Sequence, residues 1–145
     1  MTVRQQLISA ALEWQHLFGV APQITSAVSE YDAAISLIGC PIDDYYNYMK
    51  DRTAVTKGED FVHNGKKYQV KANRPSGKRG SRVTMVPKAK NYDWDYLIWI
   101  LYDTGYNICE AWLWNVDDYR KLFDSVSRLS PDHMRKGKRL YPRDP

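Results

Sequence analysis

Apolar residues return every three or four positions at the start of the chain. Val3, Leu7, Ala11, Trp14 and Phe18 form one helical stripe, and Gly19 ends it. Thr2 followed by Gln5 has the form of a capping box, so the spacing predicts a helix over about residues 3–18. A second stripe, Val28, Tyr31, Ile35 and Ile38 with Ala27, Ala33 and Ala34 alongside, predicts a helix from Thr25 or Ser26 to Gly39. Residues 40–57 are less regular, and DDYYNYMK fits a short helix or a turn.

After Gly58 the period changes from 3.6 to 2. Two short strands flank Asn64-Gly65, a strong hairpin signal because both residues tolerate positive φ. SRVTMV fits another extended piece, and DYLIWILY and ICEAWLW read as strands joined by the turn DTGYN. NVDDYRKLFDSVSRL reads as a helix capped by Asn115, and SPDHMRKG as a short one with Pro131 in its first turn. With no internal repeat and no linker, residues 1–145 are expected to form a single domain. The order α-α-β-β-(β)-β-β-α-α predicts an α+β domain, one mixed sheet flanked by helices.

A two-residue Asn64-Gly65 turn sets the hairpin register by counting outward. Phe61 then faces Tyr68 and Asp60 faces Gln69, with Lys71 one diagonal step further. Phe61, Tyr68, Val70 and Ala72 share the core side. Asp60, Val62, Lys67, Gln69 and Lys71 share the other, polar side. On that reading, truncating Asp60 or Lys71 is expected to cost only about ±0.5 kcal/mol, as at a surface position.

Charge adds a second feature. The net charge is +4, but residues 71–90 carry seven Lys/Arg and no acid, which leaves the remainder net negative. A second basic cluster, Arg135, Lys136, Lys138, Arg139 and Arg143, lies near the end. Basic density of this kind points to an anionic partner, most often nucleic acid. The composition, 43% hydrophobic with five Trp and eleven Tyr, is that of a packed globule. No apolar run approaches the ~20 residues of a membrane helix, and the first residues lack a signal-peptide pattern. Cys40 and Cys109 form no zinc spacing with histidine, and free thiols suit a reducing cytoplasm.

An acid, an amide oxygen and a lysine around one point can hold Mg²⁺ and assist attack on a phosphodiester. With these residues in this order, the sequence resembles the PD-(D/E)xK, or restriction-endonuclease-like, nuclease superfamily. Asp60 matches the first acid of its motif, and Gln69-Val70-Lys71 matches (D/E)-x-K with Gln in the acid's place, a Q-x-K variant. Glu30 in SEYDAA matches the acid from the preceding helix. Glu59 stands where the motif has Pro, and an amide binds a metal more weakly than a carboxylate.

The resemblance implies an αβββαβ core over about residues 25–130, with 131–145 as a basic C-terminal segment. It implies a Mg²⁺-dependent endodeoxyribonuclease of restriction or mobile-element type, with Mn²⁺ as a substitute. Asp60, Gln69 and Glu30 would hold the metal, and Lys71 would assist the attacking water. Arg74, Lys78, Arg79, Arg82, Lys88, Arg135 and Lys136 would contact DNA. A homodimer is implied as well, because cutting two strands takes two sites.

Blander readings stand beside these. Tyr-Gln-Val-Lys is also an ordinary half-buried strand, and Asp32 is a rival helix acid, with Asp43 and Asp44 further candidates. Trp94, Trp99, Trp112 and Trp114 fit core packing better than base stacking. His16, His63 and His133 form no group. The alternative function is a DNA-binding protein that keeps a nuclease-like fold with weak or absent catalysis. A protein-interaction module without a nucleic-acid role is a third class.

Overall fold

The computed structural model describes residues 1–52 and 59–143. The part of the ambiguous 40–57 stretch beyond Arg52, and the end of the 131–145 segment, lie outside the described residues. Helix α1 (Val3–Phe18) begins at the expected capping box: the Thr2 side chain accepts from Gln5 N–H, and Gln5 returns the bond to Thr2 N–H. Gly19 ends the helix in the left-handed region. Helix α2 (Thr25–Tyr31) runs on as a π-helical stretch (Asp32–Ile38) that Gly39 closes. DDYYNYMK belongs to a further helix, α3 (Ile42–Asp51).

Strands β1 (Phe61–His63) and β2 (Lys66–Asn73) form the hairpin in the expected register, with Phe61 opposite Tyr68 and His63 opposite Lys66. Asn64 at φ 50° and Gly65 at φ 75° supply the positive dihedrals of a type I′ turn. β3 (Tyr96–Tyr102) lies parallel to β2, and β4 (Ile108–Asn115) pairs antiparallel with β3. Helix α4 (Val116–Phe123) is capped by Asn115, and α5 (Pro131–Met134) by Ser130. α4 is shorter than its apolar pattern suggested.

The result is α+β, with five strands in the order β1-β2-β3-β4-β5. The fifth, β5 (Lys138–Tyr141), was not expected: it pairs antiparallel with β4 where a basic tail was anticipated. The SRVTMV stretch forms no strand; only Val86 bridges, to Leu129. In further contrast to an αβββαβ order, four strands precede α4, and the crossover between the parallel strands β2 and β3 carries no helix.

Both faces of the sheet are covered. β3 reads YLIWILY, almost continuously apolar, as a strand buried on two sides must be. Ile98, Ile100 and Tyr102 join Phe61, Tyr68 and Val70 in a core with α1, α2 and α3. Leu97 and Trp99 join Trp114 in a second core, closed by Val86, Ala89 and Trp94 of the crossover and by Tyr119 and Phe123 of α4. Trp94, Trp99 and Trp114 are therefore core residues, and Trp112 packs against them. The hairpin's polar side is not uniform: Val62 and Lys67 near the turn are exposed, whereas Gln69 and Lys71 are half-buried and Asp60 is buried.

Candidate active site

β1 stops at Phe61, whereas β2 continues to Asn73, so the outer edge of β2 loses its backbone partner beyond the hairpin. Asp60 fills the gap. Its N–H donates to Tyr68 O at 2.7 Å, and its carboxylate Oδ2 accepts the Val70 N–H at 2.7 Å. The side chain thus extends the antiparallel ladder by one acceptor. Oδ2 also accepts from Gln69 Nε2 at 3.0 Å, as the register required.

The other oxygen faces a residue that the sequence did not single out. Arg52, just past the end of α3, places Nη2 3.4 Å from Asp60 Oδ1. Its Nη1 donates to Asp60 O at 3.2 Å and lies 3.8 Å from Glu30 Oε2. One guanidinium therefore sits between the two carboxylates. Burial raises the Glu30 pKa to about 8, the Asp60 carboxylate adds to the rise, and Arg52 opposes it. Two acids this close in a partly dry site bind a shared cation or a proton rather than stay jointly ionised.

Glu30, Asp60, Gln69 and Lys71 line one cavity of about 230 Å³, with Ser29 and Pro87 also in its wall. Burial pushes the Lys71 ammonium below the ordinary lysine range; Asp60 resists the shift, and Lys90 reinforces it. The structure thus brings all four expected residues together and chooses Glu30 over Asp32. Asp32 is 1% exposed and lies in another network, where Arg4 donates to both its oxygens at 2.6 and 2.9 Å. Tyr102 Oη donates to it at 2.6 Å. Asp43 and Asp44 lie exposed in the first turn of α3.

The expected DNA contacts divide. Lys78, Arg79 and Arg82 lie exposed on the crossover, and Lys136 is exposed after α5. Arg74 instead donates to Thr104 O at 2.6 Å and to Gln15 Oε1 at 2.8 Å, and its guanidinium stacks on Tyr106. Lys88 Nζ donates to Asp124 O and Val126 O. Arg135 is paired with Glu110 and Asp132. These three hold the fold together through the donors a phosphate would need. Lys90 was missed, although it stands on the same basic run and acts on Lys71. For Arg52 no local signal existed, because its partners come from α2 and from Asp60, just before β1.

The donor set suits a hard cation. Two carboxylates face one point, and an amide adjoins it, with the volume below the ~300–1,000 Å³ typical of organic-ligand pockets. For Gln69 to offer its oxygen, its amide must turn over and release Asp60, and Arg52 must give up its place. Among the described residues, no group of three or more His, Cys, Asp and Glu is placed to hold a metal ion. No protein-family model matches the chain, and no curated protein matches it significantly.

Proposed function

We propose that the protein is a divalent-metal-dependent endonuclease acting on DNA, on a restriction-endonuclease-like core in which α2 and the hairpin carry the active site. The observation that supports this most is the convergence of Glu30, Asp60, Gln69 and Lys71 from two elements onto one small cavity. Asp60, Glu30 and the Gln69 amide oxygen would hold Mg²⁺ or Mn²⁺. Such an ion, when bound, acidifies water and stabilises charge on a phosphoryl oxygen.

The chain's own residues supply the rest. Lys71, held half-buried beside Asp60, releases its proton more readily than an exposed lysine and would orient the attacking water. Lys78, Arg79 and Arg82, exposed on the crossover whose Pro87 lines the cavity, would contact DNA phosphates.

A second reading has its own observation. Arg52 already neutralises Asp60 and Glu30, and Gln69 turns its N–H side to Asp60. A protein in which that arrangement persists would bind DNA without cutting it. Incubation of plasmid DNA with the protein and Mg²⁺, Mn²⁺ or EDTA separates the two. Nicking or linearisation that EDTA stops, and that Lys71→Ala removes, supports the nuclease. DNA binding without cleavage under either metal selects the binder.

A further inference from the structure

Helix α1 has two apolar seams; the fold buries one and leaves most of the other exposed, with Val3 and Leu7 at the edge of a groove shared with α2 and α3. Ile8, Ala11 and Leu12 pack on the core, and the helix is tied down towards both ends by Arg4 on Asp32 and by Gln15 on Arg74. The second seam is Val3, Leu7, Ala10, Trp14 and Leu17, all exposed. Its spacing alternates between four and three residues, the a/d pattern with which one helix packs on another. Val3 is 79% exposed, Trp14 53% and Leu17 64%, with Phe18 at 64% and Val20 at 74% continuing the patch.

From these exposures, and with Leu7 at 39%, the residues present on the order of 800 Å² of mainly apolar surface. That is more than the ~300–600 Å² of the largest patch on a typical monomer and enough to supply one partner's ~800 Å² share of a standard interface. The helix carries two formal charges, Arg4 and Glu13, and Arg4 is turned inward onto Asp32. A helix that lies on lipid presents Lys and Arg along its polar face. α1 has no lysine, and its single arginine is engaged, so a protein helix suits it better.

We propose that α1 is a dimerisation helix that packs antiparallel on α1 of a second copy of this chain. The side-chain sizes favour that direction. A parallel pair sets Trp14 against Trp14 and leaves Ala10 facing Ala10. An antiparallel pair centred near residue 12 sets Ala10 against Trp14 and Leu7 against Leu17, small opposite large and like opposite like. Among the described residues lining the Asp60 cavity, none belongs to α1, so dimerisation and cleavage can fail separately.

Sedimentation of the full chain over a concentration series should show a reversible dimer. Trp14→Glu and Leu17→Glu should each raise its dissociation constant more than about 30-fold, as loss of an interface anchor does. Both should keep the wild-type circular dichroism spectrum. Orientation is read in a Cys109→Ser background, because Cys109 is exposed. Chains carrying Leu7→Cys and chains carrying Leu17→Cys, mixed and oxidised, should form a disulfide-linked pair. Neither alone should do so, because like positions in the antiparallel dimer lie ~15 Å apart. A monomer at all concentrations, a dimer indifferent to both glutamates, cross-linking of either cysteine variant with itself, or vesicle binding by a monomer that Trp14→Glu abolishes would each overturn the proposal.

Discussion

Gln69 Nε2 donates a hydrogen bond to Asp60 Oδ2 across 3.0 Å, on an oxygen that also accepts the Val70 N–H. An amide at position 69 can satisfy Asp60 without adding charge. A carboxylate there could not, since it would stand beside both Asp60 and Glu30. Gln69→Glu should therefore lower the melting temperature in EDTA and bind Mg²⁺ or Mn²⁺ more tightly than wild type. Melts with and without metal check this: the metal-induced rise should be larger in the variant. An equal rise in both proteins would remove residue 69 from the metal site.

Asp60 is more than a surface acid. Asp60→Ala leaves the Val70 N–H without its acceptor and Arg52 without one of its counter-charges, which should cost about 1–3 kcal/mol rather than a few tenths. Asp60→Asn keeps one acceptor oxygen and should recover part of that loss. Both should lack metal-dependent cleavage while still binding DNA. Urea melts read the stability order, and a gel-shift assay reads the binding.

Glu30 couples stability to pH. Its folded pKa, about 8, lies above the ordinary glutamate value of 4.5, so the native state holds a proton that the unfolded chain has released. Stability from this group is complete at the acidic end and falls as pH rises through that interval. Glu30→Gln should flatten the decline between about pH 5 and 8. Added Mg²⁺ should raise the wild-type melting temperature more at pH 8.5 than at pH 6, because the metal replaces the proton (pH values approximate, set about that pKa).

The basic residues should separate by their partners. Replacing Arg79 and Arg82 with Ala should weaken binding to duplex DNA of any sequence and lower the log–log salt slope by ~0.9 for each lost phosphate contact. Arg74→Ala should mainly reduce stability, since it removes two bonds to Thr104 O and one to Gln15. A salt slope unchanged by the Arg79/Arg82 pair would take the crossover out of the interface.

Local chemistry determined a good part of this molecule. The Thr2–Gln5 capping box, the Asn64-Gly65 turn and the Asn115 cap act over three or four residues, so their signals are complete in the sequence. The hairpin register follows from the turn alone, and with it the meeting of Asp60 and Gln69. What crosses the fold had no such signal. Alternation marked one face of the hairpin as polar, but Pro87 of the crossover shares a cavity wall with Lys71, and Arg52 and Glu30 close on Asp60, so both lose water that the pattern alone allots them. The pairing of β5 with β4 depends on a neighbour about 25 residues away in sequence, where a basic run gives no apolar alternation to read. Arg52 reaches Glu30 and Asp60 only because α3 ends beside β1. Glu30 and Asp32, two residues apart, point to different sides of one helix, and only the packing decides that Glu30's side meets Asp60 while Asp32's side meets Arg4 and Tyr102. Short-range hydrogen bonds are written in adjacent residues; the sharing of a buried charge is settled by whichever elements the two cores bring together.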